Sequence, residues 1–209
     1  MGVVTISAPY GAGGHEVAPA VAERLGLPFH DRAIPFQVAG RLGVPVAEAE
    51  ENDERVARGL WRLIASLGTV PDPVGGVLPV TGVPDEGAFR LQTERVLTEI
   101  ADGGGGVVLG RAGAMVLRDR ADALHVRLDG PADRRLAAVV ARSRRPREEL
   151  RRELEANDRA REAYVRHFYR CDPAAAKHYH LVVDGTALPL DSVVDLVVLA
   201  ARARGIGRH

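Results

Sequence analysis

The sequence predicts an α/β domain built on a mostly parallel sheet, and three observations carry that expectation. Short apolar runs rich in β-branched residues, VVTIS (3–7), GVVLG (106–110) and LHVRLDG (124–130), alternate with longer stretches of helical periodicity. The first run passes at once into glycines, as a buried parallel strand does on entering a turn. Apolar residues make up 46% and charged residues 27%, which fits a globular chain and excludes a disordered or fibrous one.

At 209 residues the chain is expected to form a single domain with room for a small lid. Its 28 basic and 28 acidic residues balance, so its overall charge gives no reason for binding nucleic acid or an anionic membrane. Cys171 is the only cysteine, which rules out an intrachain disulfide and suggests a reducing compartment. MGVVTIS carries no basic leader, and Asp195 interrupts the apolar C-terminal stretch well short of the ~18 residues that span a membrane, so a soluble cytoplasmic protein is expected.

Taken in order, strand 3–7 is followed by a helix in which Val17, Val21 and Leu25 recur at four-residue spacing, with Gly26 as its C-cap. Pro19 suits that helix only near the first turn. After LPFHD the pattern stays helical, with a stripe of Val56, Leu60, Leu63, Ile64 and Leu67 and a solvated face at 48–54. The prolines and glycines of 68–88 read as a long surface loop. A helix through Leu91, Leu97 and Ile100 ends at the tetraglycine 103–106, and Arg111 closes the strand that follows. Between Pro131 and Arg170 a strongly helical stretch holds twelve arginines against seven acidic residues. HLVVDGT (180–186) is the last strand and 190–204 a closing amphipathic helix.

Ligands of such sheets bind at the carboxyl ends of the strands, where ISAPYGAGGHEV places a glycine-rich turn between strand and helix. Backbone N–H groups there, at Gly11, Ala12, Gly13 and Gly14, can cradle an anion, phosphate first of all. The glycines could equally make a tight connection and nothing more. Against G-x-x-x-x-G-K-[ST] the loop departs: Ala8 stands at the first glycine and Gly14 at the lysine, and Glu16 lies in the stretch where a magnesium-binding hydroxyl belongs. Of the 28 basic residues 27 are arginine, and Lys177 is the sole lysine. His15 or distant arginines must therefore supply the positive charge.

YGAGGHEVAPAVAERLGLPFHD resembles the opening of the cytidylate kinase-like family, a branch of the nucleoside monophosphate kinases whose loop also lacks the lysine and reads GG followed by arginine and glutamate. VVLGRAGAMVL, DGPADRRLAAVVAR, NDRAREAYVRHFY and the closing YHLVVDGT segment resemble further parts of that family. The resemblance implies a P-loop kinase-type three-layer fold: a phosphate loop at 7–16, a helical acceptor-binding region at about 31–102 and a lid at about 142–172. It implies ATP with Mg²⁺ as phosphoryl donor and a nucleoside monophosphate, CMP or dCMP, as acceptor. Arg111 would grip the acceptor's phosphate, and Asp31, with Arg32 beside it, would open the acceptor-binding helices. Asp158, Arg159 and Arg161 would close over the transferring group, with His15 at the loop where relatives carry arginine.

Each role has a plainer reading beside it: Arg111 as a surface ion pair, Asp31 as an N-cap, the arginines of 142–152 as a solvated face. The family's aspartate after Gly-Arg is absent, with Ala112, Gly113 and Ala114 in its place. His178 and His180 flank Tyr179 and could suggest a metal site, but no third ligand is placed. Two other functions stay open: a nucleotide-binding or sensor protein that has lost the chemistry, and a kinase for a non-nucleotide small molecule.

Overall fold

The structure is a computed structural model that describes residues 2–30, 86–110 and 112–207. The expected helices around 31–67 and the loop over 68–85 lie outside the described residues. Two compact units divide the chain, residues 1–31 with 97–209 and residues 32–96. The first holds the sheet.

Five strands, β1 (Val3–Ser7), β2 (Phe29–His30), β3 (Gly106–Leu109), β4 (Ala123–Asp129) and β5 (Leu181–Asp184), form one sheet in the order β2-β3-β1-β4-β5. Every pairing is parallel, and β1 sits at the centre, with Thr5 opposite Val108 on one side and His125 on the other. Because side chains alternate along a strand, Val4 and Ile6 face one layer and Thr5 the other.

The Val4 and Ile6 face is covered by α1 (Gly14–Leu25) and the C-terminal helix, whose buried Val17, Val21, Leu25, Val193, Val197 and Ala201 join one core with Val107, Leu124, Val126 and Leu128. Each such side chain contributes ~1.5–3 kcal/mol when fully buried. Pro19 lies in the second turn of α1, later than the sequence reading allowed. Its missing donor spares only the carbonyl of His15, close to the helix start. Gly26 ends the helix as expected, at φ 62°, its N–H bonding back to Glu23.

On the Thr5 face a short helix follows β3. Helix α2 (Glu86–Asp102) precedes that strand, beginning inside the stretch read as loop, and α3 (Gly113–Val116) follows it. A Cβ on Gly113 would lie 3.2 Å from the Thr5 Cγ2, so α3 lies close on the sheet. The arginine-rich stretch makes two helices, α4 (Ala132–Arg142) and α5 (Arg147–Tyr169), separated by residues 143–146, with Pro146 extended at the N-cap of α5. The closing helix α6 runs over Leu190–Ala203. No helix among the described residues is long and apolar enough to cross a membrane.

Candidate phosphate-binding site

Three strand ends converge around the glycine loop. β1 delivers residues 8–13, while Gly130 and Gly185 follow β4 and β5, and a Cβ on Gly185 would stand 2.4 Å from the Ala12 carbonyl oxygen. Gly13 caps α1 at φ 85°, a left-handed conformation that disfavours any side chain, and a Cβ there would also meet Leu190 at 2.7 Å. No side chain caps α1. Ala12 donates to Pro9, but the N–H groups of Gly11, Gly13 and Gly14 donate to no protein group among the described residues. Unbonded amides at the positive end of a helix make a cradle for an anion. His15 and Glu16, at the mouth of the loop, are exposed.

The loop is gripped from outside by α4 and α5. Arg135 is only 7% exposed and donates from Nε to the Gly130 carbonyl at 2.8 Å and from Nη1 to the Tyr10 carbonyl at 2.7 Å. The same Nη1 pairs with Asp158 Oδ2 at 2.8 Å, and Asp158 Oδ1 accepts the Tyr10 N–H at 3.1 Å. Arg161, one turn further along α5, donates to the Ala8 carbonyl. Arg142, at the end of α4, pairs with Glu16. Beside the loop the hydroxyl and N–H of Thr186 both donate to Asp184, which holds that carboxyl below its usual range.

A family model matches residues 3–187. The chain belongs to the cytidylate kinase-like family. Its similarity to a uronate isomerase of Corynebacterium glutamicum is 27% identity over 170 residues, 79% of this chain and 32% of that protein. The chain thus spans about a third of the length of that curated relative. Among solved structures, an uncharacterized protein from Eubacterium ventriosum aligns over 97% of this chain and 99% of its own at TM-score 0.66 and 13% identity. Shikimate kinase from Bacteroides thetaiotaomicron aligns over 97% and 99% at TM-score 0.52 and 15% identity. The family match and these two structural likenesses agree on the kinase-type α/β fold.

Of the residues the family resemblance singled out, Gly11, Ala12, Gly13, Gly14, His15 and Glu16 come together at the loop, and Asp158 and Arg161 reach its backbone. Asp31, Arg32 and Arg111 lie outside the described residues. Arg159 points away into solvent, with only a 3.6 Å pair to Glu155 on its own helix. Arg159→Ala is therefore expected to change stability by less than about 0.5 kcal/mol in denaturant unfolding, so any loss of phosphoryl transfer in that variant would mark contact with substrate. Lys177 is exposed in a turn ahead of β5.

Sequence reasoning missed Arg135 and His125. Arg135 is one of two adjacent arginines on an arginine-rich helix, and nothing local sets it apart. His125 did carry a signal, being a polar residue within an apolar strand. Its Nδ1 lies 2.8 Å from the Thr5 hydroxyl, and its ring stacks on His180 with centroids 5.0 Å apart. His180 thus serves the sheet, its Nδ1 accepting the His125 N–H at 3.0 Å.

Proposed function

We propose that this protein transfers a phosphoryl group from ATP, with Mg²⁺, to a nucleoside monophosphate, CMP or dCMP first. The observation that carries the reading is the uncapped start of α1, with three glycine amides left for an anion at the carboxyl end of the central strand. Such amides suit the oxygens of a nucleotide's phosphates. Mg²⁺ would ride chiefly on those phosphates, since it commonly takes only one or two protein carboxylates.

In this reading the chain does three things. The glycine amides hold the donor's phosphates, with His15 and Glu16 at the loop's mouth. Arginines from α4 and α5 offset charge on the equatorial oxygens, a task the guanidinium fork performs without a lysine. Arg111, with Asp31 and Arg32, would hold the acceptor.

A second reading, binding without turnover, is favoured by the pairing of Arg142 with Glu16 and by the use of Arg161 and Asp158 on the loop's backbone. Incubation with ATP, Mg²⁺ and each of CMP, dCMP, UMP, AMP, GMP and a uronic acid separates the readings. Formation of CDP or dCDP is expected. ATP binding with silence across the panel would leave the binding protein, and a phosphorylated uronic acid alone would point to a non-nucleotide acceptor, a class suggested by the likeness to the Corynebacterium uronate isomerase.

A further inference from the structure

Both backbone polar groups of Tyr10 bond to one partly buried ion pair: its N–H donates to Asp158 and its carbonyl accepts from Arg135. We propose that Arg135 and Asp158 are a positioning pair that fixes the Tyr10 peptide and couples α5 to the phosphate loop, so that loop shape and lid-helix docking are set together.

Four observations carry this. Arg135 binds Gly130 after β4, Tyr10 in the loop and Asp158 on α5, so one guanidinium ties three elements. A guanidinium suits this because its donors sit on separate nitrogens of a rigid fork, whereas the three donors of an ammonium share one. The pair lies beside an apolar cluster of Leu136, Leu150 and Leu154 with Tyr10 packed on it, and low polarity there strengthens charge-assisted hydrogen bonds. The loop approaches α4 so closely that a Cβ on Gly11 would stand 2.7 Å from the Arg135 carbonyl oxygen. Finally, Asp158 and Arg161 share a face of α5, three residues apart, and reach Tyr10 and Ala8 respectively.

A loop with no lysine has no side-chain charge of its own to draw phosphate in. Its affinity rests on how well the amides of Gly11, Gly13 and Gly14 are preorganised, and the Tyr10 peptide adjoins the first of them. The pair acts through backbone geometry and needs no contact with the nucleotide.

The activity arm of the test rests on the phosphoryl-transfer reading, while the exchange arm does not. Hydrogen exchange at the Tyr10 amide is followed by NMR in the intact 209-residue chain, with ATP binding by calorimetry and KM for each substrate. For Asp158→Ala we expect Tyr10 exchange to quicken about tenfold and the ATP Kd to rise about tenfold, with acceptor KM unchanged. Asp158→Asn should fall between, since an amide oxygen still accepts the Tyr10 N–H. Adding Arg135→Lys to Asp158→Ala should weaken ATP no further, because the two residues act as one unit. Arg135→Lys alone keeps the charge and carries the test if the alanine variant does not fold, with ATP Kd expected to rise severalfold. Unchanged Tyr10 exchange would overturn the proposal, as would an unchanged ATP Kd alongside a lower Tm, or ATP and acceptor KM rising together. If the wild type binds no ATP, the phosphoryl-transfer reading falls instead, and the pair is judged on Tyr10 exchange alone.

Discussion

Writing the missing lysine into the loop as Gly14→Lys is expected to lower the melting temperature by about 5 °C, the loss that overpacking by ~1–3 kcal/mol produces in a chain of this size, and to bring no tighter ATP binding. The obstacle is the first carbon of any side chain. A Cβ at position 14 would stand 2.7 Å from the Cβ of Ala8 and 3.1 Å from Leu109 Cδ1. Ala8 has no rotamer to give way, and Gly14 is buried at the start of α1. Gly14→Ala should therefore show the same drop, which separates the packing cost from the charge. His15 is exposed, so His15→Arg adds the charge without that clash and is expected to tighten ATP severalfold at unchanged Tm. Calorimetry and thermal melts on the three variants decide the matter. A Gly14→Lys protein that melts like the wild type and binds ATP more tightly would mean that the loop is a damaged version of the lysine-bearing kind.

Acid should destabilise the fold well above the range of carboxylate titration. Burial, with the charge of His180 second, pushes the His125 imidazole down to about 4. An unfolded histidine takes up its proton near pH 6.5, so between pH 6.5 and 4 the unfolded chain is charged at this position and the folded one is not. The stability that neutral His125 represents is thus complete above pH 6.5 and is lost as the pH falls towards 4, a decline of about 3 kcal/mol in all. His180 is lowered as well, again by burial, and adds to the decline with the same sign. Urea unfolding at pH 7.5, 6.5, 5.5 and 4.5 measures it. Replacing the pair, Thr5→Val with His125→Phe, should remove most of the slope, and an identical slope in that variant would place its origin elsewhere.

The frame was legible because its signals are local. VVTIS, the glycines after it and the Val17, Val21, Leu25 spacing define β1, the loop and α1 within 25 residues, and Gly26 marks the stop. β2 escaped notice because Phe29 and His30 are too few to show a period, and their strand character comes only from pairing with β3. α3 is likewise four residues long and starts from Ala112 at φ 52°, a conformation no composition announces. The division between α4 and α5 did have a marker in Pro146, outweighed by the helical composition on either side. At the site, the glycines and the Asp-x-x-Arg spacing could be read as a set, but what Asp158 and Arg161 meet could not. Their partners, Tyr10 and Ala8, lie 148 and 153 residues away, and tertiary approach alone brings them together.

The placement of β1 has a consequence for how the chain is made. Its neighbours in the sheet are β3 and β4, and Val3 pairs with Gly106 and Ala123. During synthesis the first strand therefore leaves the ribosome long before either partner exists, and at ~5–20 residues per second it waits on the order of ten seconds for them. Throughout that interval Val3, Val4 and Ile6, all fully buried in the finished protein, have no sheet to enter. The strand that carries the phosphate loop is thus made well before both of its partners, and the nascent chain's need for a holding chaperone should be greatest before residue 129 emerges.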